Sequence, residues 1–264
     1  SVYREPIRKK STNGCIMAAS QGGSILRYQD TNEIAVLIDA DNTQLSKLEF
    51  VLREISTRGR IVVKRAYGNW TKPTLGNWDK VLNELAIKAE QQFDYVSGKN
   101  APDIALTIDA MDLLARRLYD TFVLVSSDSD FTPLAVKLRE SGVEVIGVGT
   151  RQTSPSFRNA CDVFLFLENL GDNLSPAEAA AADENEMQVV HELLVRACEN
   201  FSDESGWTNM ATAGNYLRRA KPDFDCRNFG FDKLSNLIEA FPQYYEVHRG
   251  SRPNGPDILY YRVY

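Results

Sequence analysis

Histidine is nearly absent from this chain: His191 and His248 are the only two among 264 residues, and they lie far apart. Their scarcity argues against a His-based zinc centre and leaves no convincing Ser/His/Asp or Cys/His set for nucleophilic catalysis. Cysteine is sparse too. Cys15, Cys161, Cys198 and Cys226 are widely scattered and form no C-x-x-C pair. That speaks against a zinc ribbon and fits a reduced, cytosolic setting. No apolar run approaches the ~18 residues of a membrane helix, so no membrane partner is expected. The first thirty residues lack the apolar core of a secretory signal. There is no G-x-G-x-x-G and no P-loop, and "GVG" at 147–149 is too short for a dinucleotide loop. An excess of positive charge is missing as well. Thirty Lys/Arg face 36 Asp/Glu, a net charge of −6, which excludes a strong unselective grip on nucleic acid. It does not exclude a nucleic-acid enzyme, because an acidic metal site itself adds negative charge.

What the chain does have is alternation. "EIAVLIDA" (33–40), "RIVVKRAYG" (60–68), "TFVLVSS" (121–127) and "VEVIGVG" (143–149) are short, β-branched apolar runs that read as buried strands. "QQFDYV" and "DVFLFLENL" add two more. Between them, 46–56, 78–90, 102–118, 132–141 and 155–160 carry helical spacing, with Pro102 at a tolerated first-turn position. Strand–helix alternation predicts βαβ units and a mostly parallel sheet covered on both faces. Residues 1–30 carry five Lys/Arg against two Asp/Glu and read as a mildly basic flexible tail; 31–170 form the α/β domain. "GDNLSPAEAAAADENEM" is small, acidic and of low complexity, and places an acidic linker at about 171–185. From 186 to 264, three helical stretches and a closing hairpin ("YYEVHR", "ILYYRVY") describe a winged-helix module.

The chemistry concentrates where strands end. In an open parallel sheet, ligands sit beyond the carboxyl ends of the strands. The first strand ends "LIDADN", giving Asp39, Asp41 and Asn42; the later one ends "VSSDSD", giving Ser126, Ser127, Asp128 and Asp130. Asp103 opens the long helix before that strand. Carboxylates gathered at one edge repel and raise one another's pKa, and hard divalent cations such as Mg²⁺ or Mn²⁺ relieve that. Each acid also has a plainer use: Asp128, Asp130 or Asp41 as a helix cap, Asp103 as a partner of the helix dipole. Asp109 lies inside "IALTIDAMDLL", apolar on most faces, where a carboxylate needs a partner. It sits about 240° around the helix from Asp103, which places it behind the metal rather than on it, with Ser126 and Ser127. Lys99, in "SGKNAPD", stands where a phosphate would lie; Arg65 and Trp70, in "KRAYGNW", offer a cation and a stacking ring to RNA.

"AVLIDADN", "KRAYGNW", "GKNAPDIALTIDAMDLL" and "FVLVSSDSDFTPLAVKLRESGVEVIGVG" together resemble the NYN domain, a branch of the PIN-like nucleases, over about residues 31–170. Residues of about 186–264 resemble an OST-HTH (LOTUS) winged helix. The resemblance implies an α/β fold, a PIN-like mostly parallel sheet flanked by helices, followed by a small α+β winged-helix domain. It also implies a Mg²⁺- or Mn²⁺-dependent endoribonuclease with RNA as partner. Asp39 (with Asn42), Asp103 and Asp128 carry over as metal-site acids, with Asp130 beside them. The family often has Gly where Asp41 and Ser127 stand.

Other readings stay open. "LIDADNT" also matches the D-x-D-x-T loop of haloacid-dehalogenase-like phosphatases, with Asp39 as nucleophile; that reading leaves Asp103 without a role. A non-catalytic RNA-binding scaffold is the other. The C-terminal module has nine Lys/Arg against eleven Asp/Glu, so RNA binding there needs shape or stacking. "NYLRRAK" (Arg218, Arg219, Lys221) and "HRGSR" (Arg249, Arg252) are its candidate contacts.

Overall fold

A computed structural model describes residues 32–93, 101–171, 184–252 and 255–264. Six strands form one all-parallel sheet: β1 (Glu33–Asp39), β2 (Arg60–Gly68), β3 (Lys88–Gln91), β4 (Thr121–Val125), β5 (Glu144–Gly149) and β6 (Val163–Phe166). Their order is β3-β2-β1-β4-β5-β6. The chain builds outward from β1 to β3, then returns to the middle and builds the other way. The reversal falls between β1 and β4, which pair in register from Ile34↔Thr121 to Ile38↔Val125. That gap is the topological switch point at which open α/β sheets bind ligands.

Alternation along each strand sorts side chains to two faces. Val36 and Ile38 join Val123, Val125, Ile146 and Val148 in one core under α1 (Leu48–Ser56) and α2 (Trp78–Glu84). Ala35 and Leu37 join Phe122, Leu124 and Val145 in the other, under α3 (Ala101–Ala115), α4 (Thr132–Glu140) and α5 (Pro155–Ala160).

The expected helix over 78–90 is shorter than its spacing implies. It ends at Glu84, Ala86 takes a left-handed φ of 50°, and Lys88–Gln91 pairs with β2 as a strand. Edge pairing with β2 overrides a locally helical pattern there. "DVFLFLENL" likewise is strand only over Val163–Phe166, before a 3-10 turn at Leu167–Asn169.

The C-terminal residues form α6 (Glu184–Phe201), α7 (Met210–Ala220) and α8 (Leu234–Glu239). Beside them lies an antiparallel sheet of order β7-β9-β8, made of β7 (Thr208–Asn209), β8 (Tyr245–Arg252) and β9 (Gly255–Val263). Val190, Leu194, Ala213, Leu217, Leu237 and Tyr261 are among its fully buried core residues. Asn209 caps α7 through the amides of Ala211 and Thr212. This module covers the open edge of the larger sheet. Pro222 O accepts the Phe164 amide of β6 (2.8 Å), Arg158 pairs with Asp223 (2.7 Å), and Asn169 Nδ2 donates to Asn228 Oδ1 (2.6 Å). The Phe164 amide of this edge strand is thereby closed to another chain. Among the described residues no helix is long and apolar enough to cross a membrane.

Candidate active site

The end of β1 and the end of β4 lie side by side, so Asp39 and the residues after Val125 meet at the switch point. Asp39 is 1% exposed. Its Oδ2 accepts from Ser126 Oγ (2.7 Å) and Asn42 Nδ2 (2.9 Å), and its Oδ1 from the Asp41 amide (3.2 Å). Burial raises its pKa, the hydrogen bonds from Ser126 and Asn42 lower it, and the charge of Asp41 raises it. Ser126 is the link between the strand ends, because its Oγ also accepts the Asp128 amide (3.0 Å). Thr43 Oγ1 donates to Val125 O (3.1 Å) and ties the β1 loop to β4 a second time. Thr43, which the sequence offers only as the threonine of a D-x-D-x-T pattern, serves here as a tie between strand ends.

Asp128 is half-buried and extended. Its Oδ1 accepts the Asp130 amide (2.9 Å), so it caps the short turn that leads into α4. Capping and pointing to the switch point are therefore one arrangement. Asp130 is exposed, and Ser127 bonds Thr150 through both its Oγ contacts (3.0 Å to the amide, 3.2 Å to Oγ1). That places Ser127 in the β4–β5 connection, not beside Asp39.

Asp103, in the first turn of α3, completes the group. It is half-buried and makes no hydrogen bond or ion pair among the described residues. Burial first, then the charges of Asp39, Asp128, Asp41 and Asp130, push it up to about 7. A carboxyl group so placed reports that four other acids face it across the sheet end.

Other candidates are directed elsewhere. Asp109 is not behind this cluster: its carboxylate takes Arg65 Nη1 at 2.5 Å and the Tyr67 hydroxyl, on the β2 side of α3. The need of a half-buried carboxylate for a partner was right; the partner is Arg65. Arg65, also near Glu90 (4.0 Å), is therefore inward-paired and not an outward RNA contact. Trp70 packs against Trp78 (ring centroids 5.8 Å) at the edge of the first core, so its ring is not a free stacking surface. Lys221 pairs with Asp223 (2.8 Å) under the module instead of facing RNA. Arg218 and Arg219 are exposed on α7, and Arg249 is exposed in a pair with Glu239 (3.2 Å). Lys99 and the side chain of Arg252 lie outside the described residues. Asp41, expected as a helix cap, pairs with Lys72 (3.3 Å) from the loop after β2.

With the acids at the β1/β4 switch point, residues 33–168 match the model of the NYN domain. The chain belongs to the NYN domain family. Residues 184–256 match the OST-HTH/LOTUS domain. An NYN domain is a PIN-like, nuclease-type domain. The match leaves the haloacid-dehalogenase-like reading of "LIDADNT" without support. An uncharacterized protein of Methanocaldococcus jannaschii is 30% identical over 148 residues, 53% of each chain, so this NYN protein spans about half the length of that curated relative. A crystal structure of a protein of unknown function from Vibrio parahaemolyticus is 20% identical (TM-score 0.45), covering 53% of this chain and 96% of its own. A solution structure from Nitrosomonas europaea is 34% identical (TM-score 0.27), covering 36% and 90%.

The NYN acids are all hard oxygen donors of the kind Mg²⁺ and Mn²⁺ take. Nothing cationic neutralises Asp39, Asp103 or Asp128 among the described residues. Among the described residues, no group of three or more His, Cys, Asp or Glu is placed to hold a metal ion together, so the fit lies in the chemistry of the donors and not in their spacing. The hydrogen bonds from Ser126, Asn42 and the Asp130 amide hold the carboxylates in place without a cation. The donor set fits a divalent ion in chemistry.

Proposed function

We propose that this chain is a metal-dependent endoribonuclease, cleaving internal RNA phosphodiesters at the β1/β4 switch point, with its OST-HTH module holding RNA. The observation that carries this reading is Asp103, half-buried, unpaired among the described residues and pushed up to about 7 partly by the fields of four other carboxylates. A cluster of that kind is stable as anions only with positive charge added.

A Mg²⁺ or Mn²⁺ ion held by Asp39, Asp103 and Asp128 supplies hydrolytic water of lowered pKa and charge to neutralise phosphoryl oxygens. The protein's own part is positional. Ser126 and Asn42 fix the Asp39 carboxylate, the Asp130 amide fixes Asp128, and α3 carries Asp103 to face them. No side chain is needed as a covalent nucleophile. Cleavage leaves a 5′ phosphate and a 3′ hydroxyl. Arg218, Arg219 and Arg249, with Lys99 and Arg252 as further candidates, contact the RNA backbone. The setting we assign is cytoplasmic, supported by the free thiols of Cys161, Cys198 and Cys226.

End-labelled RNA incubated with Mn²⁺ tests the reading. Internal fragments with 5′ phosphates from the unaltered protein, and none from Asp128→Asn, are expected. Intact RNA with Mn²⁺, and with Mg²⁺ in its place, contradicts a nuclease.

A further inference from the structure

The OST-HTH module carries more acid than base, eleven Asp/Glu against nine Lys/Arg, so charge alone holds RNA weakly there. Four of its nine Lys/Arg sit in ion pairs: Lys221 with Asp223, Arg227 with Asp225, Arg249 with Glu239, and Arg262 with Glu246. Affinity must then come largely from contacts that do not depend on charge, and for single strands those are stacked bases.

One concavity of the module has the composition for it. A cavity of about 660 Å³ opens between α6 and the start of β8. Its walls include His191, Phe241, Tyr244 and Tyr245, with the amides of Gln188 and Gln243 exposed at its rim. Among the described residues no lysine, arginine, aspartate or glutamate lines it. The Tyr244 ring is 51% exposed yet firmly held. It lies nearly parallel to Phe241 (27°, centroids 6.4 Å), and the His191 ring wedges against both (4.7 Å and 5.2 Å). The Tyr245 hydroxyl fixes His191 through Nδ1 (2.6 Å), and the Tyr244 amide bonds Phe241 O (3.0 Å). A flat ring immobilised before binding loses little entropy when a base stacks on it. Side-chain amides carry donor and acceptor together, which suits the edge of a nucleobase. An uncharged lining suits a base and not a phosphate.

We propose that this cavity is a nucleobase-binding pocket, in which one base of single-stranded RNA stacks on Tyr244 while Gln188 and Gln243 meet its edge. The proposal rests on the RNA-binding reading of the OST-HTH module and names the place and the chemistry of contact.

The test uses the full chain in EDTA, so that no RNA is cut, with short single-stranded oligoribonucleotides carrying 2-aminopurine. Stacking on the pocket quenches that fluorophore as binding saturates. Tyr244→Ala should weaken binding about tenfold or more, at low and high salt alike. Tyr244→Phe should keep the affinity, and Phe201→Ala, an exposed ring outside the pocket, should not change it. Gln243→Ala should narrow the differences among homopolymers. RNA bound by wild type with no quench, or with unchanged affinity in a folded Tyr244→Ala, overturns the pocket and leaves the module's RNA role standing. Wild type that binds none of these RNAs overturns both.

Discussion

Ser126 Oγ donates to Asp39 Oδ2 at 2.7 Å, and the same oxygen accepts the Asp128 amide. One buried hydroxyl thus couples the acid at the end of β1 to the acid that follows β4. Ser126→Ala leaves the Asp128 amide without its acceptor and Asp39 with one side-chain donor fewer. A loss of about 1–3 kcal/mol in stability is expected for an unsatisfied buried polar group. Cleavage should fall with it, because Asp39 loses a donor that orients it. Urea titration and a cleavage assay on the same preparation measure both; an Ala variant as stable and active as wild type argues against the coupling.

Asp103 makes stability depend on pH in a definite direction. Its folded pKa of about 7 lies above the ordinary 3.8. The folded state therefore binds this proton more tightly than the unfolded chain does. The stabilisation is fully present below about 3.8 and is lost as pH rises through about 7. Asp103→Asn removes the titration. In EDTA the variant should melt above wild type at pH 8, and the two should converge near pH 4. Wild type should gain more from added Mn²⁺ than the variant. Parallel melting curves across the whole range contradict the crowding of acids around Asp103.

Asp109 should behave differently from Asp103, although both lie on α3. Asp109→Asn strips a half-buried guanidinium and the Tyr67 hydroxyl of their carboxylate. Breaking such a pair costs about 2–4 kcal/mol after discounting for its partial exposure. Cation binding should nonetheless persist in a folded Asp109→Asn protein. Loss of Mn²⁺ binding without loss of stability would return Asp109 to the acid cluster.

Much of this was legible in the sequence, and the failures share a cause. Strands buried on both faces announce themselves as apolar runs, so β1, β4 and β5 could be read, and the acids at the ends of β1 and β4 followed from them. The helix over 78–90 was overextended because Lys88–Gln91 gains its ladder from β2, a partner remote in sequence. Two-residue β7 is too short to leave a pattern, and it exists through β9. Arg65 and Lys221 were assigned to RNA and Asp41 to a helix cap, yet each has an ionic partner. Local spacing reveals that a charge needs a partner; only the fold reveals which.

The most direct test of the account is calorimetric titration of the RNA-free protein with Mn²⁺. Saturable binding is expected, and it should be lost in Asp103→Asn and Asp128→Asn variants while their folds persist. Absence of binding by the wild type, or equal binding by all three proteins, would contradict it.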